Sequence, residues 1–316
     1  MRYGPAMIMP FDRKEPDGDM DGALPPFDLE KVNRLLAKAS HVHNTTPDPQ
    51  MGGLSPEQVF LLSYVPWNTE GSPLRLNAAL SLSDAERSPF FCRARKLLCA
   101  IRDAGGVKGT SGRNLNRRFV GDMMRMVLTE EEQADINEYF KVVNEPDAFP
   151  LHLARVVSEL AKLLRLSKGV FAIPRKKLLL LAPERAGELF RDLFLAYFIK
   201  FNLAYLTRYG PEAGCIQSYA GYTLYRLGVV ADEWHSTDAL VEEIMLPAVR
   251  SEVAAEIGDH SFWNVGDLLK HRIIIPLIDW GLLEGRYDNS ESQRFKTLVS
   301  VRITPLFRDY LSFLFA

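Results

Sequence analysis

The sequence predicts a mainly α-helical protein with two winged-helix-like units, each carrying a short β-hairpin, joined by a long aromatic-rich helix. Three observations predict it. Apolar residues recur at helical spacing through much of the chain beyond residue 27. Two stretches, Gly169 to Leu181 and Leu282 to Ile303, read as hairpins that follow a helix. Finally, Leu306-Phe-Arg-Asp-Tyr repeats the wording of Leu189-Phe-Arg-Asp-Leu, each after an expected hairpin, so element order points to two related units.

Residues 1–26 are rich in Asp, Gly, Pro and Met and present no periodic apolar face, so a flexible leader is expected there. Residues 27–88 read as N-terminal helices and loops. A helix from Phe27 to Ser40 comes first. A second opens at Leu54-Ser-Pro-Glu-Gln, where Ser55 caps, Pro56 fits the first turn and Gln58 completes a capping box.

Residues 89–183 carry the first winged-helix-like unit. Phe90 to Ala104 is helical and is stopped by Gly105 and Gly106, Val107 to Thr110 is extended, and a second helix starts near Asn114. An acidic insert follows, with a helix expected from Glu130 to Val142. Pro150 then opens a third helix, whose Leu153, Val156, Val157, Leu160, Leu163 and Leu164 form an apolar stripe. The hairpin is read as strand Gly169 to Ile173, turn Pro174-Arg-Lys-Lys, and returning strand Leu178 to Leu181. The insert is a departure, because a turn of a few residues joins the second and third helices of the compact motif.

Residues 184–260 hold the central helices, led by an aromatic one from Glu184 to Tyr205 that reads as internal. Residues 261–316 form the second winged-helix-like unit. It comprises a helix from Val265 to Trp280, strands Leu282 to Tyr287 and Thr297 to Ile303 about a polar loop, and a terminal helix capped by Thr304-Pro305.

Composition bounds the function. Hydrophobic residues are 47% and charged residues 25% of 316, the balance of an ordinary globular protein. No secretory signal and no apolar run of membrane-spanning length is present, so a cytoplasmic protein without membrane contact is expected. Cys92, Cys99 and Cys215 give neither a disulfide framework nor a zinc knuckle, and buried thiols are expected. The net charge of -2 conceals segregation. Nine Lys/Arg face two acids between Arg93 and Arg125, and eight face two between Pro150 and Arg185. The island between them, Val127 to Phe149, has seven acids and one base, Lys141.

No catalytic signature stands. Gly105-Gly-Val-Lys-Gly-Thr-Ser-Gly has glycines beside Lys108, but a helix precedes it and the lysine comes too early for a phosphate loop. His41 and His43 lack a third ligand nearby, and Glu242 and Glu243 point to different sides of a helix. No catalytic residue, metal ligand or cofactor is assigned.

Leu54-Ser-Pro-Glu-Gln, Ser72-Pro-Leu-Arg-Leu and Ala104-Gly-Gly-Val-Lys-Gly-Thr-Ser-Gly-Arg-Asn-Leu-Asn-Arg-Arg-Phe-Val, with Lys200-Phe-Asn-Leu, Tyr209, Ile216-Gln217 and Trp280-Gly-Leu-Leu, resemble a bacterial family without established activity. The resemblance covers most of the chain after residue 50. It extends to the C-terminal region of longer proteins related to the open-reading-frame-three passengers of plasmids and mobile elements. That family's Gly-Asn-Leu reads Gly112-Arg-Asn-Leu here, one residue longer. The resemblance supplies context and no site residues.

The sequence does not establish the function, and three classes stay open. First comes a nucleic-acid-binding or regulatory protein of winged-helix type. In it His152, Arg155, Lys162 and Arg165 face the groove, Arg175, Lys176 and Lys177 on the wing meet phosphates, and Asn116, Arg117 and Arg118 add backbone contacts. Second is a protein-interaction scaffold whose basic faces meet acidic surfaces, this chain's own Val127 to Phe149 included. An enzyme of unknown class is third.

Overall fold

The computed structural model describes residues 28–208, 210–258, 262–288 and 297–315. The leader expected over residues 1–26, Tyr209 and most of the polar loop after Asp288 lie outside them. The chain divides into two compact units, Met1–His43 and Asn44–Ala316. The described part of the first is Asp28–His43, which holds most of helix α1 (Leu29–Thr45), and none of the helix's residues is buried.

In the second unit, α2 (Pro56–Tyr64) begins with the expected box: Ser55 Oγ accepts from the Gln58 N–H at 3.3 Å while Gln58 Oε1 accepts from the Ser55 N–H at 2.9 Å. Strand β1 (Leu74–Leu76) and the short α3 (Leu82–Ala85) follow. Then come α4 (Pro89–Asp103), β2 (Val107–Lys108), α5 (Arg117–Val127), α6 (Glu130–Tyr139), α7 (Phe149–Leu160), β3 (Arg165–Ser167) and β4 (Val170–Ala172). Helix α4 ends in a Schellman motif: Gly105 at φ +66° donates to Arg102 O, and Gly106 donates to Ile101 O. The three strands form an antiparallel sheet in the order β2-β4-β3.

Helix α8 (Ala186–Leu195) runs into a π-helical turn at Ala196–Lys200; α9 (Cys215–Ser218) and α10 (Ala220–Val230) complete the middle. Next come β5 (His235–Ser236), α11 (Thr237–Ile244), α12 (Pro247–Ile257), α13 (Val265–Leu269), a second π turn at Lys270–Ile274 and α14 (Ile275–Asp279). The chain continues through β6 (Leu283–Asp288), β7 (Thr297–Ile303), α15 (Pro305–Tyr310) and β8 (Leu311–Phe313). The second three-stranded sheet has the order β5-β7-β6. Thus helix, strand, three successive helical elements and two strands occur twice, from α4 and again from α10. In both sheets the first strand pairs with the last.

The expected hairpin over Gly169 to Leu181 is displaced. Its strands are β3 and β4, joined by the two-residue turn Lys168-Gly169, while Arg175–Leu181 is a 3-10 helix. A run of four leucines has no periodicity that separates a strand from a tight helical turn. Here Leu180 and Leu181 are buried and Leu178 and Leu179 are exposed. The third helix is also shorter than its apolar stripe suggests: it stops at Leu160, so Leu163 and Leu164 lead into β3. The later hairpin is found in place, with Leu283 opposite Ile303 and a register shift at Arg286/Tyr287.

Aromatic side chains form the centre of the core. Trp280, fully buried, stacks on Phe90 with centroids 4.6 Å apart and meets Phe190 and Phe194 edge-on at 5.0 and 5.1 Å. Gly281 follows because φ is +69° and a Cβ would lie 2.5 Å from Arg87 O. Helix α8 therefore packs onto α4 from the first repeat and the end of α14 from the second. Among the described residues no helix is long and apolar enough to cross a membrane.

Candidate nucleic-acid interface

Helix α7 occupies the place expected of a groove-reading helix, and it is packed away. Leu151, His152, Leu153, Ala154, Arg155, Val157 and Ser158 are all buried. Its two basic residues converge on one carboxylate, Glu145, from the segment joining α6 to α7. Glu145 Oε1 accepts from Arg155 Nε and pairs with His152 Nδ1, both at 2.7 Å, while Oε2 accepts from the Leu115 N–H. Burial alone would raise the Glu145 carboxyl; the donors from His152, Arg155 and Leu115 outweigh it and hold the group below its ordinary value. Arg155 also pairs with Glu159 and lies 5.7 Å from the centre of the Phe171 ring. His152 Nε2 meets the Tyr205 hydroxyl at 3.4 Å. The knot ties α5, α7 and β4 together, so His152 and Arg155 do not face a groove as the sequence reading expected.

The acidic insert thus meets this chain's own cations. Besides Glu145, its Glu132 lies 3.5 Å from Arg93, and Asn144 accepts from Arg117 at 3.2 Å. Asn116 is the N-cap of α5, accepting from the Phe119 N–H at 3.1 Å and donating to Lys108 O at 2.9 Å. Its amide is used locally. Arg175, Lys176 and Lys177 sit on the 3-10 turn after β4 and not on a wing, and Lys177 pairs with Asp192 at 3.3 Å.

Lys162, Arg165 and Arg118 remain exposed, and the structure adds Lys108, Arg113 and Lys168, which the sequence reading left out. None of these six has an ion-pair partner among the described residues. Lys108 and Ser167 flank Val170 and Arg165 flanks Ala172, so strand alternation puts Lys108 and Arg165 on the face opposite the buried Phe171. Lys168 occupies the tip of the hairpin.

Three of the six stand where side chains are disfavoured. Arg113, Lys162 and Lys168 have φ of +60°, +58° and +50°. Lys162 follows α7 in the same Schellman arrangement that ends α4, its N–H donating to Glu159 O and that of Leu163 to Ser158 O, but with lysine in glycine's place. Lys168-Gly169, with both φ positive, is a two-residue hairpin turn that ordinarily favours Asn-Gly. The Ser-Lys-Gly-Val wording around it is the signal that marks this turn.

Elsewhere, Cys215, Glu252 and Glu256 bring three possible ligand atoms within 4.8 Å of one another. Burial and the two carboxylates push the Cys215 thiol up to about 11. Glu256 already accepts from the Ala213 N–H at 2.7 Å.

Residues 86–186 match the family model described as the Y4jL N-terminal domain. That span encloses α4 through β4 and stops at the start of α8, so the first repeat, with its cations, is the part similar to that domain. Comparison with curated proteins and with solved structures finds no match.

Proposed function

We propose that the protein binds nucleic acid through the backbone phosphates, using the sheet and turns of a winged-helix-like first repeat. Two features support a winged-helix reading of both repeats, the second of which begins at α10 and not at residue 261: the order of helices and strands, and sheets in which the first strand pairs with the last. Burial of α7 removes the means of reading bases in the major groove, so the contact is electrostatic and indifferent to sequence. The observation that carries the reading is the set of exposed cations without ion-pair partners, Lys108, Arg113, Lys162, Arg165 and Lys168, three of them at left-handed positions. Strained backbone that holds a particular side chain outward is a mark of a functional surface.

A triple change of Lys108, Arg165 and Lys168 to alanine tests it by fluorescence anisotropy on a generic duplex. Affinity falls, and the slope of log affinity against log salt becomes shallower by up to about 2.7, at about 0.9 for each lost phosphate contact. An unchanged slope rejects the reading. The burial of α7 favours a second one, a protein-interaction scaffold, and a wild-type chain that retains no duplex in low salt leaves that reading in place.

A further inference from the structure

A cavity of about 700 Å³ opens where the two repeats meet. Its walls come from α4, the start of α7, the first π turn, and the second π turn with α14. Leu153, Leu206, Ile275 and Ile278 make an apolar body, and Tyr197 and Tyr287 add rings. At one end lie four charges: Arg93, Lys96, Glu132 and Asp279.

These charges balance. The Arg93 side chain is only 9% exposed, pairs with Asp279 and lies 3.5 Å from Glu132, and its Nε has no partner. Lys96 reaches only the Met126 carbonyl, at 3.5 Å. Burial raises the Asp279 carboxyl more than Arg93 lowers it, and burial holds the Tyr197 phenol far above its ordinary value. A buried ion pair that leaves a donor unsatisfied is a poor way to stabilise a core, and hydrophobic replacement is often neutral or better. Both π turns in the described residues supply a wall residue, Tyr197 from one and His271 from the other. Such turns cost backbone regularity and recur at functional sites, where they redirect side chains.

We propose that this cavity binds an uncharged, largely apolar small molecule that carries one hydrogen-bonding head group. Its volume suits a ligand of that class. The head lies among Arg93, Asp279 and Tyr197, which together offer donors and acceptors, and the body lies against Leu153, Ile275 and Ile278. Two cations facing two acids give no net attraction to either sign of charge, so an ionic ligand would lose its hydration without compensation.

The neutral dye N-phenyl-1-naphthylamine and the anionic dye 8-anilinonaphthalene-1-sulfonate test this on the full chain. The neutral dye is expected to bind with one site per chain and at least about tenfold more tightly than the anion, a difference of about 1.4 kcal/mol. Ile275, on the partly exposed wall, is changed to tryptophan to fill the space: Ile275→Trp abolishes the site while the thermal midpoint stays within a few degrees of wild type. Should that variant fail to fold, Leu206→Trp fills the cavity from another wall. Equal or tighter binding of the anion overturns the proposal, as does full dye binding by a folded filled variant.

Discussion

The two repeats share an order of elements and differ in what their cations do. In the second, Arg302 meets Glu284 across the hairpin at 2.5 Å, and both Arg302 and Arg286 lie over the Trp234 ring, at 4.8 and 3.8 Å from its centre. Arg250 pairs with Glu242, and Asp232 with Arg308 of the following α15. In the first repeat the matching sheet presents Lys108, Arg165 and Lys168 to solvent with no ion-pair partner among the described residues, while Arg155 and Arg93 pair inside and Arg102 and Arg125 pair with Asp103 and Asp122 at the surface. The second sheet spends its described arginines on cohesion. The first leaves its outer cations available, which is why the proposed binding surface falls there.

Glu145→Gln attacks the interior of the first repeat and has the largest expected effect. It leaves Arg155 buried with a weakened partner and lowers unfolding free energy by about 3–5 kcal/mol, measured by urea denaturation. Because the Glu145 carboxyl is held below its ordinary value, its contribution is present above the unfolded carboxylate range and fades as pH falls through the folded value. The gap between wild type and variant is therefore widest near neutral pH and closes on acidification below about pH 4. A gap independent of pH places the effect in packing.

Trp234→Ala attacks the second repeat. Removing the ring beneath Arg286 and Arg302 costs about 1–2 kcal/mol by the same assay. Duplex affinity and its salt slope stay as in wild type, since those arginines are not part of the proposed surface. A shallower slope would move the surface to the second repeat and break the contrast.

The smallest effect sharpens it. Lys162→Gly puts at the end of α7 the residue that α4 already has at its own end, and should raise stability by about 0.5–1 kcal/mol. If Lys162 meets phosphate, the same change weakens duplex binding, so stability and affinity move in opposite directions. A change in which both fall shows that the lysine packs rather than binds.

Much of the fold was legible in the sequence because it is local. The Ser55 box, the Gly105-Gly106 stop, the helix start read near Asn114 and found two residues on at the Asn116 cap, and the Thr304-Pro305 cap each state their geometry within a few residues. Lys200-Phe-Asn-Leu and Ile216-Gln217, two separate pieces of sequence, prove to be one knot. Gln217 donates to the carbonyls of Phe198 and Phe201, at the end of the first π turn, and accepts from the Leu203 N–H at 3.2 Å. Nothing in the letters links residue 200 to residue 217. The polarity of His152 and Arg155 suggested exposure because their partner, Glu145, lies outside the helix that carries them. Charge patterning read along one helix cannot show which charges are neutralised by the next segment. The hairpin turn was misplaced for a related reason: Arg175-Lys-Lys looks more like a basic turn than the single lysine of Lys168-Gly169 does.

Strands β1 and β8 join residues from nearly opposite ends of the second unit, with Leu74 opposite Phe313 and Leu76 opposite Leu311. The Leu314 N–H reaches Pro73 O, and the Asn77 N–H reaches Tyr310 O. Such a pairing closes a loop of almost the whole unit, and its entropy must be met before the ladder returns any free energy. During synthesis β1 emerges early and has no strand to pair with until β8 leaves the ribosome. The repeats can assemble in the meantime, from contacts close in sequence, and the terminal ladder then forms as a late latch over a core already in place.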